Sequence, residues 1–291
     1  MTDRANILFI INPISGVGKK KTIPKAIVKH LDLSMFRYDI QYTEYKKHGY
    51  KIASELKSKY DVIVAIGGDG TVSEIGSALV GSNCALGIIP CGSGNGIARH
   101  LKIPLTVRLA IKQLNEFNIV KIDTGKVNNL HFIGTCGFGF DAHIAKKFDH
   151  FHKRGFSSYI KLVKKEYNNF ESLDYLIDGT YQKNAIMCTI ANSSQFGNGF
   201  TISPESDMTD SKFELIFIDK VKYRNIPRLV KQFFSSKIHQ SKYFSTLTVN
   251  KNFIVELEDR SDSVFHIDGE PFDGSAKYSI EILPQSLKVL R

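Results

Sequence analysis

The sequence predicts two folds in series: an α/β domain on a parallel sheet over residues 1–122, and a mostly β, sandwich-like domain over residues 123–291. Three observations predict this. Before Asp123, short apolar runs of buried-strand length alternate with helical stretches, the pattern of a parallel sheet covered by helices. Glycine-rich runs stand where those strands end, and ligands in such sheets bind at the carboxyl ends of strands. After Asp123 the texture changes to β-branched and alternating runs separated by turn residues, as in an antiparallel sheet or sandwich. A chain of 291 residues suits two domains of roughly 150 residues.

In order, Ile7–Ile11 reads as a strand ending in Asn12-Pro13, Tyr38–Thr43 as a second strand and Lys47–Lys59 as a helix. Val62–Ile66 is a third strand running into Gly67-Gly68; Thr71–Val80 is helical; Ala85–Ile89 is a strand ending at Pro90. Pro104–Asn115 carries a proline at a helix start and Leu105, Leu109 and Leu114 on a helical period. In the second half, strands are expected at Leu130–Thr135, Ala185–Ala191, Phe213–Ile218, Leu247–Val249, Phe253–Leu257 and Ser279–Leu283. Helical insertions are expected near Ser157–Asn168 and Asn225–Ser236, and the last few residues are expected to return to the first domain.

Apolar residues make up 42% and charged residues 23%, which excludes disorder as the default. No apolar run approaches the ~18 residues of a membrane span. The N-terminus lacks the features of a signal peptide, so the expected location is cytoplasmic. Cys84, Cys91, Cys136 and Cys188 are widely spaced without a Cys-x-x-Cys pair, which argues against zinc. A net charge of +10 suits a polyanion or an anionic membrane surface. The basic residues are scattered and form no recognition motif, so no nucleic-acid partner is expected.

Four runs could carry chemistry. Gly67-Gly68-Asp69-Gly70-Thr71-Val72-Ser73-Glu74 follows a strand and opens a helix, where glycines allow close backbone approach and helix-opening amides favour phosphate. Asp69 there can orient a magnesium ion or a hydroxyl, or simply cap a tight turn. Pro90-Cys91-Gly92-Ser93-Gly94-Asn95-Gly96 is a second backbone-rich loop one βα unit later, so both loops would face one crevice. Asn12-Pro13-Ile14-Ser15-Gly16-Val17-Gly18-Lys19 resembles a P-loop and fails as one. Pro13 stands where glycine is needed, and Lys20 where Ser or Thr is needed. His266-Ile267-Asp268-Gly269-Glu270-Pro271 places two carboxylates about a glycine, suited to a general base beside a hydroxyl, or to a type I′ hairpin turn.

Taken in order, Asn12-Pro13-x-Ser15-Gly16, Gly67-Gly68-Asp69-Gly70-Thr71-x-x-Glu74, Pro90-x-Gly92-Ser93-Gly94-Asn95 and Asp268-Gly269-Glu270 resemble the diacylglycerol kinase catalytic-domain superfamily, which includes bacterial lipid kinases and the diacylglycerol, ceramide and sphingosine kinases. Gly137-Phe138-Gly139-Phe140-Asp141-Ala142 and Ala191–Asp219 resemble further family segments. The resemblance implies an N-terminal domain like those of NAD kinase and phosphofructokinase, with ATP in the interdomain cleft. By position, Asn12, Pro13, Ile14, Ser15, Gly16, Thr43, Gly67, Gly68, Asp69, Gly70, Thr71, Glu74, Gly92, Ser93 and Asn95 would contact ATP. Glu270 falls on the proton acceptor of bacterial members, next to Asp268, while sphingosine kinase-like members favour the position of Asp69. A structural magnesium would use the Asp210 side chain and the backbones of Asp207 and Lys212, with Ser211 standing where relatives often carry glycine.

The expected function is ATP-dependent phosphorylation of diacylglycerol, a sphingoid base or a related lipid, serving phospholipid biosynthesis, with Mg2+ as cofactor. The double glycine of the first loop resembles diacylglycerol kinases, whereas Gly92-Ser93-Gly94-Asn95-Gly96 is closer to sphingosine and ceramide kinases. The enzyme would meet its lipid as a peripheral membrane protein. Lys146, Lys147, Lys153, Arg154, Lys161, Lys164 and Lys165 lie among Phe148, Phe151, Phe156 and Tyr159, and Arg224–Lys242 again mixes basic and apolar residues; both suit an interfacial patch or a core helix with a solvated basic face. A homodimer is left open. The rival readings are an NAD kinase-like small-molecule kinase and a non-catalytic lipid or nucleotide sensor on the same fold.

Overall fold

A computed structural model describes residues 4–15, 22–149, 156–257 and 263–291, with no side-chain description at 156–159. The chain divides into two compact units: Met1–Thr124 with Pro284–Arg291, and Gly125–Leu283.

Unit 1 contains β1 (Ala5–Ile11), α1 (Ile23–His30), β2 (Phe36–Tyr42), α2 (His48–Leu56), β3 (Val62–Gly67), α3 (Asp69–Leu79), β4 (Ala85–Pro90), α4 (Gly96–His100), α5 (Val107–Leu114) and the start of β5 (Ile119–Val127). Its strands run parallel in the order β2-β1-β3-β4. β3 and β4 are buried at every position and β1 from Ile7 onward. Strands covered on both faces need no polar alternation, which is why they read as unbroken apolar runs. Ile23 and Ile27 of α1 and Ala110, Ile111 and Leu114 of α5 add to the buried core. Helix α1 has no counterpart among the sequence-based expectations. Pro24 in its first turn is the one signal of a start. The segment Pro284–Arg291 completes the unit: Val289 and Leu290 pair parallel to Leu86 and Gly87, and Asp123 accepts the Gln285 amide at 2.7 Å.

Unit 2 contains the end of β5, then β6 (Leu130–Phe132), β7 (Thr135–Gly139), α6 (Phe140–Asp149), α7 (Phe156–Glu166), β8 (Leu173–Ile177), β9 (Tyr181–Ala185), β10 (Met187–Ala191), β11 (Gln195–Gly197), β12 (Phe200–Thr201), β13 (Phe213–Ile218), α8 (Ile226–Phe234), β14 (Phe244–Val249), β15 (Phe253–Leu257), β16 (Val264–Ile267), β17 (Glu270–Asp273) and most of β18 (Lys277–Leu290). Six strands form an antiparallel sheet in the order β14-β13-β10-β7-β16-β17. A second antiparallel layer pairs β15 with both β8 and the start of β18. One core holds Phe138, Cys188, Leu215 and Phe217 with Tyr175, Phe253, Val255 and Tyr278. A second cluster holds Met187, Ile216 and Ile218 with Phe140, Ile144, Leu162, Leu229 and Phe233 from α6, α7 and α8. β10 and β13 therefore alternate between two apolar clusters instead of between core and solvent, and both are buried throughout.

The single strand expected at Leu130–Thr135 is two strands, β6 and β7, parted at Ile133-Gly134. The physical reason is a carboxylate. Asp268 takes the amides of Ile133, Gly134 and Thr135, so this stretch of backbone serves a side chain instead of a ladder.

Candidate active site

The parallel register fixes one edge of unit 1. Ile11 aligns with Tyr42 and Ile66, and Gly67 with Pro90, so Asn12, Thr43, Gly68 and Cys91 emerge side by side at the carboxyl ends of their strands. The chain leaves β1 toward β2 on one side and continues through β3 and β4 on the other. β1 and β3 thus flank a topological switch point, where open α/β sheets bind their ligands. Asn12 ties the first loop to the second: its Nδ2 donates to Thr71 Oγ1 at 3.0 Å, and its Oδ1 accepts the Ile14 amide at 3.2 Å. Ser15 Oγ donates to the Asn12 carbonyl at 3.3 Å. Pro13 and Ile14 are exposed, Ile14 to 90%, whereas Thr43 is buried. Gly16 lies outside the described residues, as do Lys19, Lys20, Phe151, Lys153 and Arg154.

The two glycine loops pack backbone on backbone. A Cβ on Gly92 would stand 2.5 Å from the Gly68 Cα, closer than any real Cβ contact, so only glycine permits this approach. Asp69, the first residue of α3, locks the pair: its Oδ2 accepts the Asn95 amide at 2.8 Å and its Oδ1 the Gly96 amide at 2.7 Å. Asn95 closes its own loop, accepting the Gly92 amide and donating to the Gly92 carbonyl. A Cβ on Gly67 would collide with the Thr71 side chain. Glu74 accepts the Lys47 amide at 3.0 Å and so anchors the start of α2. Of the residues expected to meet ATP, Thr71, Glu74 and Asn95 are thus engaged in scaffolding, while Gly70 in the first turn of α3 and Ser93 on its loop are exposed.

In unit 2, Asp268 (φ 49°) and Gly269 (φ 85°) form the two-residue hairpin turn between β16 and β17, pairing Ile267 with Glu270. Asp268 Oδ1 accepts the amides of Gly134 and Thr135 at 2.8 and 2.9 Å, Oδ2 that of Ile133 at 3.1 Å, and its own amide donates to the Thr135 carbonyl. Glu270 opens β17, half-buried. Behind the turn lies a polar cluster with no role in the sequence-based expectations. Asp141 Oδ2 meets His266 Nε2 at 3.1 Å and accepts Thr189 Oγ1–H at 2.8 Å. The signal for it was present but weak: an aspartate at the first turn of a helix after a glycine-rich strand, and a histidine two residues before the Asp-Gly turn. Burial, and then the Asp141 carboxylate, push the Cys136 and Cys188 thiols well up, so both stay protonated.

In the expected magnesium loop, Asp207 Oδ1 accepts the amide and hydroxyl of Thr209 at 2.9 and 2.7 Å. Asp210 Oδ1 accepts the Lys212 amide at 3.0 Å, with Lys212 Nζ at 3.9 Å from Oδ2. Ser211 has φ 61°, the left-handed conformation glycine favours, so the serine leaves the turn its shape. Among the described residues no three His, Cys, Asp or Glu side chains form a metal-holding group. One carboxylate with main-chain oxygens and water is nonetheless a set magnesium accepts. Next to this loop, burial raises the Glu214 carboxyl, which accepts Ser206 Oγ–H at 2.6 Å.

Comparison with known proteins matches this arrangement. Residues 6–127 match the diacylglycerol kinase catalytic domain, and residues 134–291 the YegS C-terminal NAD kinase beta sandwich-like domain. A diacylglycerol kinase of Staphylococcus saprophyticus is 27% identical over 282 residues, spanning 93% of this chain and 90% of the relative. A crystal structure of a diacylglycerol kinase from Bacillus anthracis shares the fold with a TM-score of 0.75 at 20% identity, covering 100% of this chain and 98% of that one. An NAD kinase from Archaeoglobus fulgidus, solved in complex with ATP, shares it at a TM-score of 0.52 and 13% identity, covering 98% and 93%. A parallel-sheet unit followed in one chain by an antiparallel sandwich, the two matching these two domain models in turn, places the chain in a known family: it is a kinase of the diacylglycerol kinase catalytic-domain family.

Proposed function

We propose that this kinase transfers the γ-phosphoryl group of ATP to the hydroxyl of a lipid, with diacylglycerol the first substrate to test. The observation that carries the nucleotide half is the switch point of unit 1, where the Asn12, Gly67–Gly70 and Gly92–Asn95 loops meet at one strand edge. Loop amides and the N-terminus of α3 suit phosphate oxygens. The S. saprophyticus relative's name supports the lipid half.

In phosphoryl transfer the protein's task is chiefly positioning and charge neutralisation. The amides of the two glycine loops would hold the phosphates, with Asn12 and Ser15 closing the first loop around them. Asp69, whose carboxylate joins the two loops, keeps them in register; Asp268 sets the turn; Glu270 takes the proton. As the lipid oxygen bonds to the γ-phosphorus, the bond to the bridging oxygen breaks, ADP leaves, and the hydroxyl proton passes to the Glu270 carboxylate. Magnesium bound with the nucleotide supplies neutralisation of phosphate charge, and Asp210 would hold a structural ion.

The lipid is delivered from a membrane surface, and α8 is suited to meet it. Leu229 and Phe233 anchor the helix on the core. Lys222, Arg224, Arg228, Lys231, Lys237 and Lys242 are exposed around it, with Tyr223 (58%) and Phe234 (43%). No Asp or Glu occurs between Asp219 and Glu256. Such a face suits an anionic leaflet, at about 1 kcal/mol per basic residue near the surface.

The test is a radiolabelled ATP transfer screen against diacylglycerol, sphingosine, ceramide, phosphatidylglycerol and NAD. Label in phosphatidic acid is the expected result. Label only in NADP would establish the small-molecule reading, and no label in any product would favour a sensor.

A further inference from the structure

We propose that His266 is a positioning residue for the Asp268-Gly269-Glu270 turn, held in one tautomer by Asp141, and that it fixes the turn so that Glu270 is aimed for proton transfer. The proposal rests on the reading of Glu270 as the proton acceptor.

The argument begins with what each atom can do. The Gly269 amide can only donate, and it points at His266 Nδ1 at 3.3 Å. Nδ1 must therefore carry its lone pair. The ring hydrogen then sits on Nε2, which faces Asp141 Oδ2 at 3.1 Å. Asp141 is itself fixed, by Thr189 Oγ1 on the same oxygen and by the Ala142 amide on Oδ1 at 2.8 Å. The two side chains are 4% and 8% exposed, so neither nitrogen has water as an alternative partner of consequence. The Phe196 ring lies edge-on to the imidazole at 6.0 Å.

The fold makes room for this pair deliberately. Gly137 is the cross-strand partner of His266, and a Cβ there would stand 2.3 Å from both Asp141 Oδ2 and His266 Nε2. The anchored amide is the central peptide of a turn whose two middle residues both hold positive φ. Asp268 pins the side of that turn toward Ile133–Thr135, and His266 pins the central Asp268–Gly269 peptide, one peptide before Glu270. A neutral imidazole with Nδ1 free to accept is the state that does this; a ring hydrogen on Nδ1 would break the contact.

The two amide side chains separate this from a merely structural pair. His266→Gln keeps a donor where Nε2 was and loses the acceptor at Nδ1. His266→Asn keeps an acceptor where Nδ1 was and loses the donor to Asp141. The experiment measures kcat, both KM values and the melting temperature of His266→Gln, His266→Asn and Glu270→Gln with ATP and the lipid found by the transfer screen. His266→Gln is expected to melt near the parent protein, yet lose about tenfold in kcat at unchanged KM for ATP, equivalent to ~1.4 kcal/mol. His266→Asn is expected to melt lower and keep kcat within about threefold. Activity that follows melting temperature across both variants would overturn the proposal. Full turnover in Glu270→Gln would instead remove the proton-acceptor reading, a distinct failure. The tautomer is read independently by 15N spectroscopy of histidine-labelled protein: a protonated Nε2 and bare Nδ1 are expected for His266, and the opposite pattern overturns the proposal without any variant.

Discussion

Asp268 receives three main-chain amides and Asp69 receives two, whereas Glu270 follows the turn that Asp268 shapes. The sequence shows three acidic residues beside glycines and cannot rank them; the hydrogen bonds distinguish the two clamps. Asp268→Ala would strand the Ile133, Gly134 and Thr135 amides. With unmade buried bonds at about 1–3 kcal/mol apiece, a loss on the order of 3 kcal/mol is expected by calorimetry. Glu270→Gln should cut kcat by about 10²-fold or more while leaving the melting temperature in place. Glu214 gives a pH prediction. Burial raises its folded pKa above the ordinary value of 4.5, so the folded state holds the proton more tightly than the unfolded chain. Stability from this group is intact below that ordinary value and declines as pH rises from there through the raised folded pKa. Glu214→Gln keeps an acceptor for Ser206, so denaturant titrations should show higher stability at pH 7 and a flatter dependence across that window.

At the scale of elements, the contact between Gly68 and Gly92 sets how closely two strand ends approach. Gly92→Ala must push the loops apart, and the expected result is a KM for ATP raised about tenfold or more with little change in melting temperature; an unchanged KM would show that the loops tolerate separation. Strands β1, β3 and β4 were legible because full burial writes unbroken apolar runs that end at Asn12-Pro13, Gly67-Gly68 and Pro90, and helix α3 because a glycine run opens it. Helix α1 was not: eight residues with Ile23, Ile27 and Val28 carry little helical propensity of their own and are held by packing. Nor was the break between β6 and β7, since nothing local at Ile133 reveals that a carboxylate far along the chain will claim its amide. The Asp141–His266–Thr189 cluster was hidden for the same reason, its members coming from α6, β16 and β10.

At the scale of the whole molecule, the chain carries a net charge of +10, and the stretch around α8 is one place where basic residues stand without acidic neighbours in sequence. The acid-free stretch around α8 predicts co-sedimentation with vesicles containing phosphatidylglycerol. Reversing Arg228 and Lys231 to glutamate should weaken it at least about tenfold, and added salt should do the same. Binding indifferent to vesicle charge would argue against this face. The pairing of Val289 and Leu290 with Leu86 and Gly87 has a consequence in time. As the chain emerges from a ribosome, everything in unit 1 up to β5 is made before unit 2, yet its sheet lacks the Leu287–Leu290 segment until all of unit 2 has been translated. Leu287, Val289 and Leu290 are fully or almost fully buried in the finished protein. The flank of β4 that they cover is therefore an unpaired edge throughout synthesis. Unit 1 of a nascent chain therefore lacks this cover, and its sheet is completed only once unit 2 has also been made.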